Sequence, residues 1–144
     1  MAADGAFPGL VGCQLPIQLA SLGGPIGTPE LAGAVSNAGG LGMIPNPSSA
    51  VEVQRVLTIA RGLTSGPLGV GFLVPFVVRE AVDEAAESAD VVGFFYGDPA
   101  AELVRLAGAR SAVMAPQSCD GRTRLRGPIV RRAERHPAPA RPRA

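Results

Sequence analysis

The amino-acid sequence predicts an α/β fold built from parallel βα units, and three features of the chain indicate it. Short apolar runs alternate with longer amphipathic ones. The apolar runs start near positions 15, 41, 68, 91 and 111, so they recur every 20 to 27 residues. The amphipathic stretches begin at helix-capping residues. Strands that alternate with helices at this interval are typical of a parallel sheet.

The first unit combines a strand, a glycine-rich loop and a capped helix. The run Leu15–Ala20 predicts a buried strand. The predicted helix spans Thr28–Ala38, because Thr28 can cap it and proline suits its first position. Gly39 follows where a helix commonly ends with glycine, and Leu41–Ile44 is the second predicted strand.

The later units repeat this arrangement. A capping box from Ser49 to Glu52 predicts a helix that runs to about Arg61, with Gly62 as its stop. The sequence predicts nine elements in all, which make four and a half βα units. A closed barrel needs eight such units. The remaining predicted elements are a strand at Leu68–Val74, a helix at Val77–Ser88, a strand at Val91–Tyr96, a helix capped by Asp98 and Pro99 that ends before Gly108, and a strand at Ser111–Ala115.

The last 29 residues differ in composition from the rest of the chain. Residues 1–115 carry 5 Arg and 10 acidic residues, whereas residues 116–144 carry 8 Arg and 2 acidic residues. The latter segment is rich in Arg and Pro and has no sustained apolar period, which predicts a disordered tail. We therefore expect a partial barrel over 1–115 and a tail over 116–144. The abrupt switch is what a frameshift would produce.

Composition and cysteine usage narrow the classes of protein. Cys13 and Cys119 belong to no paired motif, which favours a reducing compartment without a disulfide framework. The longest apolar stretch, Val70–Val78, contains Pro75 and is too short for a membrane helix. We expect a soluble, cytoplasmic protein without a signal peptide, because no basic residue precedes the first apolar run. The sequence contains no recognisable metal cluster, P-loop or Ser-His-Asp set.

Candidate binding residues stand at the carboxyl ends of the predicted strands, where βα barrels place their active sites. The small residues from Ala20 to Gly24 would let a flat aromatic cofactor approach the backbone. The same glycines are also typical of an ordinary turn between strand and helix, and the residues alone favour that interpretation. Gly71 lies in the third predicted strand, near its carboxyl end. Its missing side chain would either let a ligand approach the backbone or let the strand pack closely against a helix. Asp98 is followed by proline, so we interpret it as a helix cap.

Several motifs, in order, resemble those of the nitronate monooxygenase (2-nitropropane dioxygenase-like) family. They are TPEL at 28–31, SNAGGLG at 36–42, GVGFLVP at 69–75 and VVGFFYGDP at 91–99. The resemblance covers about residues 14–115. It implies the first half of a TIM barrel that holds FMN non-covalently. Such enzymes oxidise alkyl nitronates with O2 to carbonyl compounds and nitrite.

The resemblance also implies which residues contact the cofactor. Ala20, Ser21 and Leu22 would lie along the flavin ring through backbone contacts, and Gly71 would stand where the family has a flavin-contacting Asn. The family has Pro-Met where this chain has Ser21 and Leu22. Its catalytic histidine segment is absent here, and His136 lies in the Arg/Pro-rich tail. No catalytic residue is therefore assigned, and we expect this chain to be inactive alone.

Two other functions stay open from the sequence. A flavin-dependent enoyl-carrier-protein reductase or IMP dehydrogenase-like barrel has similar opening glycine motifs. The basic tail could instead bind nucleic acid through phosphates or belong to a partner-assembled module. We favour nucleic-acid binding less, because no aromatic residue accompanies the arginines. An incomplete barrel has two open sheet edges and an apolar face, so we expect self-association through the exposed edges.

Overall fold

A computed structural model describes residues 7–114 of the chain, and for residues 112–114 it describes the backbone alone. Five helices and four strands follow one another in this range. Short 3₁₀ turns at Gly24–Ile26 and Val74–Phe76 lie before α2 and α4. In chain order the elements are α1 (Phe7–Val11), α2 (Pro29–Asn37), β1 (Gly42–Pro45), α3 (Ala50–Leu63), β2 (Leu68–Leu73), α4 (Arg79–Ser88), β3 (Val91–Phe95), α5 (Ala101–Gly108) and β4 (Ala112–Met114).

The four strands form one parallel sheet in the order β1, β2, β3, β4. A helix connects each strand to its neighbour, so the predicted α/β fold of parallel βα units is confirmed. Because all strands run in the same direction, their carboxyl ends lie together at one end of the sheet. The register sets Gly71 of β2 opposite Pro45 of β1 on one side and Gly93 of β3 on the other.

One face of the sheet packs against helices α2 to α5. Alternate strand residues point to this face, as the two-residue period of a strand requires. Phe72 and Phe94 lie at its centre with ring centroids 6.3 Å apart. The helices contribute small and β-branched side chains, which let them lie close to the sheet. The fully buried members of this core include Ala32, Val53, Ala60, Leu68, Val70, Ala81, Val82, Ala85, Val92 and Ala107.

The other face of the sheet is partly covered by α1, a helix that the sequence pattern did not predict. Val11 and Cys13 are buried against Leu41, Met43 and Val91, and Phe7 and Leu10 pack beside them. We call this the inner face, since it is the side opposite the helices. The expectation of an openly exposed apolar face is therefore wrong for the half of the face nearest the amino ends of the strands.

The predicted strand at Leu15–Ala20 is not a strand. Its backbone forms one isolated parallel bridge, between Gln18 and Leu41. The N–H of Ile17 bonds back to the carbonyl of Leu15 at 2.8 Å, which closes a tight turn, and Pro16 has no N–H to donate. Local turns therefore replace the extended ladder that the apolar run suggested.

Three predicted helix boundaries are also wrong, and one of them is the start of α4, which lies at Arg79 instead of Val77. Helix α3 continues through Gly62 to Leu63 and ends in the extended residue Thr64, so no left-handed glycine is needed. Helix α5 begins two residues later than predicted, with Ala100 as its N-cap and without a side-chain cap. Asp98 precedes proline, which disfavours the helical conformation at that position. Its predicted capping role is not found.

The cap of α2 agrees with the prediction, because the N–H of Leu31 donates to Thr28 Oγ at 3.2 Å. At α3, Ser49 Oγ likewise accepts from the N–H of Glu52 at 3.2 Å. The Glu52 carboxylate, however, accepts from the N–H and hydroxyl of Ser48, each at 2.7 Å, rather than from Ser49.

The predicted tail and fifth-strand end at Ala115 lie outside the described residues, as do Cys119 and His136. None of the described helices combines the length and apolar character needed to cross a membrane.

Candidate functional site

Two glycines lie side by side in the carboxyl half of the inner face. Gly71 and Gly93 lie opposite each other on β2 and β3. A Cβ at Gly71 would approach Phe95 Cε2 to 2.8 Å, and a Cβ at Gly93 would approach the same atom to 3.0 Å. The Phe95 ring therefore occupies space that exists because both glycines lack side chains. Flat aromatic groups fit such a floor.

Ser21 lies directly beside this glycine floor. A Cβ at Gly71 would be less than 3.0 Å from Ser21 Oγ and 3.1 Å from Ser21 Cβ. The Ser21 hydroxyl is buried and finds no hydrogen-bond partner within residues 7–114. Burying a hydroxyl without a partner costs about 1–3 kcal/mol, so such a group is usually explained by a missing ligand or water.

The other two predicted contact residues, Ala20 and Leu22, flank Ser21 in the loop. Ala20 is exposed, and the side chain of Leu22 is 37% exposed. The N–H of Leu22 donates to the carbonyl of Ala20 at 2.8 Å, which fixes the loop on either side of Ser21. The structure thus brings Ser21 and Gly71 together, whereas Ala20 and Leu22 form the rim of the loop.

Asn46 holds the loop after β1 against the end of β2. Its backbone is in the left-handed region, with φ of 31°, which asparagine tolerates better than most residues. Its N–H donates to the carbonyl of Gly71 at 2.6 Å, and its Oδ1 accepts from the N–H of Leu73 at 3.0 Å. This pair of bonds fixes Gly71 from the loop side.

A cleft of about 430 Å³ lies at the carboxyl ends of β1 and β2, between the glycine loop at Gly23 and Gly24 and the first turns of α2 and α3. Its size suits a small ligand. Three of its polar side chains are already engaged, however. Thr28 caps α2, Asn46 binds the backbone of β2, and Glu52 binds Ser48. The inner-face glycine floor, beside the partnerless Ser21 hydroxyl, is the better candidate site.

Two described groups, the Cys13 thiol and the Glu52 carboxylate, have shifted pKa values. Cys13 is a free, buried thiol that donates to the carbonyl of Leu15 at 3.0 Å, and burial raises its pKa. Hydrogen bonds from Ser48 lower the pKa of Glu52. Within residues 7–114, no group of three His, Cys, Asp or Glu side chains is arranged to hold a metal ion.

Comparison with known proteins decides the family. The sequence profile described as nitronate monooxygenase matches residues 6–115, which is most of the chain. The chain belongs to the nitronate monooxygenase family. The family resemblance predicted from the motifs is therefore confirmed, and the family is one of oxidoreductase enzymes.

This nitronate monooxygenase family member covers only part of the length of each relative that it matches. The nitronate monooxygenase of Pseudomonas aeruginosa is 51% identical over 65 residues, which are 44% of this chain and 18% of that protein. A FabK mutant from Thermotoga maritima superposes with a TM-score of 0.66 at 29% identity, over 76% of this chain and 37% of that one. Nitroalkane oxidase from Streptomyces ansochromogenes gives a TM-score of 0.61 at 25% identity, over 75% of this chain and 41% of that one.

Three residues of the candidate site were not identified from the sequence. Gly93 and Phe95 belong to the motif at 91–99 but were interpreted as strand residues only. They could have been identified from the pairing of the two strands, because the parallel register of β2 and β3 sets Gly93 opposite Gly71. Asn46 was also missed. It stands in an Asn-Pro pair directly after β1, a sequence that favours a turn.

Proposed function

We propose that this member of the nitronate monooxygenase family provides the flavin-ring side of an FMN-dependent site. That site would oxidise alkyl nitronates with O2 to carbonyl compounds and nitrite. The observation that carries the proposal is the partnerless Ser21 hydroxyl beside the side-chain-free floor of Gly71 and Gly93. The chain spans less than half of the relatives named above, so the activity of the whole enzyme is part of the proposal.

The residues present fit a flat ring better than a bulky or highly charged group. The floor lacks side chains, and an aromatic ring, that of Phe95, already lies across it. The neighbouring hydroxyl can donate or accept one hydrogen bond. FMN, when bound, supplies the redox chemistry that removes electrons from the nitronate.

The chain's own residues would bind and orient the ring. Gly71 and Gly93 allow close approach, and Asn46 fixes the Gly71 carbonyl. Val91 and Met43 lie beneath this layer and keep it dry, since both are fully buried. None of these groups is a base with a suitable pKa, and we therefore expect ring binding without turnover from this chain alone. The free thiol of Cys13 is consistent with a reducing, cytoplasmic compartment.

The test uses the 144-residue chain and separates binding from catalysis. FMN is titrated and followed by quenching of flavin fluorescence and by the shift of its visible absorbance bands. Nitrite release is measured in parallel with propyl-1-nitronate, FMN and O2. We expect saturable flavin binding and no nitrite above the rate with FMN alone.

Gly62→Ala is the matched control for this titration, because a Cβ at this helical position would meet nothing within 4 Å. It should leave flavin binding unchanged. Failure of the unchanged chain to bind FMN would contradict the proposal. Steady nitrite release would instead contradict the expected inactivity and show that a base had been overlooked.

A further inference from the structure

We infer that the Ser21 hydroxyl is the side-chain group that hydrogen-bonds the flavin ring in this chain, in place of a side chain at position 71. The inference rests on the proposed flavin function and goes beyond it by assigning a specific contact. Its basis is the geometry of Ser21, Gly71 and Phe95.

Ser21 occupies the position that a side chain on Gly71 would take. A Cβ at position 71 would come within 3.0 Å of Ser21 Oγ, so a larger residue at 71 and this serine rotamer exclude each other. The absence of a side chain at Gly71 is thus coupled to the presence of a polar one at Ser21. The two positions together still offer one hydrogen-bonding group to the inner face.

The hydroxyl is available for a ligand. It has no hydrogen-bond partner within the described chain, although its oxygen is buried. Phe95 Cε2 also lies 2.8 Å from the point that a Cβ on Gly71 would occupy. Binding of a ring at the buried hydroxyl therefore requires the Phe95 side chain, which is only half-buried, to move aside.

A ligand contact and a structural contact at Ser21 predict opposite effects of Ser21→Ala. If the hydroxyl is unpaired in the free protein, its removal relieves a desolvation cost and raises Tm by a few degrees. The same substitution removes one hydrogen bond to the ring, which weakens flavin binding by about five-fold. A hydroxyl with a structural role would instead lower Tm when removed.

The experiment titrates riboflavin and FMN into the wild-type chain, Ser21→Ala and the control Ser88→Ala, and records a thermal melt of each. Ser88 is an exposed serine whose hydroxyl donates to Glu84 at 2.8 Å, so its loss should leave flavin affinity unchanged. We expect Ser21→Ala to lose the same factor with riboflavin and with FMN, because the contact is to the ring and not to the phosphate.

The outcomes separate this inference from the proposed function. If the wild-type chain binds neither flavin, the proposed function fails and this inference with it. If the wild-type chain binds but Ser21→Ala binds equally well, only the Ser21 assignment is overturned. A loss confined to FMN, or a lowered Tm for Ser21→Ala, overturns the assignment as well.

Discussion

Gly71 illustrates how one residue position controls the candidate site. It is buried in the middle of the sheet, paired with β1 and β3, and its carbonyl accepts from Asn46. Its missing side chain gives room to the Ser21 hydroxyl on one side and to the Phe95 ring on the other. A change at Gly71 therefore acts on packing and on the site together.

We predict that Gly71→Ala destabilises the fold by about 1–3 kcal/mol, the usual range for an overpacked core. The added Cβ would clash with Ser21 Oγ and with Phe95 Cε2. Chemical denaturation measures the free energy of unfolding. In the double variant with Ser21→Ala the nearer clash is gone, so we expect the two substitutions to be non-additive. Strict additivity would show that the two side chains do not share this space.

The sequence placed Ser21 and Gly71 at strand ends, and family resemblance was needed to favour them as ligand contacts. Nothing in the residue pattern says that the two meet, because their contact depends on the register of β2 and the course of the loop before α2. The same limit explains why Gly93 and Phe95 were missed. Pairing across strands is a tertiary property and leaves only a weak trace in either strand alone.

The start of α3 gives a pH-dependent prediction at the scale of an element. Two hydrogen bonds from Ser48 lower the folded-state pKa of Glu52 below its ordinary value of 4.5. A lowered folded pKa contributes stability above the unfolded pKa, and that contribution is lost as the pH falls through the folded pKa. The helix dipole adds to the effect, because Glu52 lies in the first turn.

We therefore expect Glu52→Gln to lower the unfolding free energy at pH 7, and the difference from wild type to shrink below about pH 4.5. Urea denaturation across this pH range measures both. Glu30→Gln, in the first turn of α2 but without such a pair of bonds, is the control and should show a smaller change. A difference that persists unchanged at pH 3 would exclude titration of Glu52 as its cause.

The contact between α2 and β1 depends on a second close approach of backbones. A Cβ at Gly42 would come within 3.0 Å of the carbonyl oxygen of Ala32, a backbone atom that cannot rotate away. We predict that Gly42→Ala costs about 3 kcal/mol or prevents folding. Gly62→Ala should stabilise α3 by about 0.5–1 kcal/mol, since this glycine lies inside a helix and its neighbourhood is open. Equal effects of the two substitutions on Tm would contradict the close packing.

Elements whose ends are decided by adjacent residues were predicted correctly. Elements that depend on contacts with distant parts of the chain were not. Thr28 and Ser49 cap their helices as predicted, because an N-cap is decided by a few adjacent residues. The prediction of the first strand failed because the turn after Leu15 limits its pairing with Leu41 to one bridge. Helix α1 was missed because a five-residue helix with Pro8 and Gly9 carries almost no periodic signal.

The parallel sheet of the whole molecule agrees with its family assignment. Four consecutive parallel strands with helices on one face are what neighbours such as FabK share with this chain over about three quarters of its length. Inner-face packing divides into an apolar layer closed by α1 and a glycine layer at the carboxyl ends. That division separates the part of the sheet that stabilises the fold from the part suited to a ligand.

The open edges of this sheet lead to the last prediction, which concerns self-association. Within residues 7–114, β4 pairs with β3 alone, and β1 is flanked on its outer side only by the bridge of Gln18 to Leu41. Unpaired edges recruit further strands, and Ile17 exposes 56% of its surface beside the β1 edge. Sedimentation velocity should therefore show a mass above 14.6 kDa that rises with concentration.

A charge beside the edge should weaken this association, because lysine next to an open strand opposes further pairing. We expect Ile17→Lys to lower the average mass at a given concentration. Ile59→Lys is the matched control, since Ile59 is 37% exposed on α3, away from both edges. If both variants dissociate the assembly equally, exposed apolar surface and not strand pairing drives association. A monodisperse monomer at every concentration would contradict association altogether.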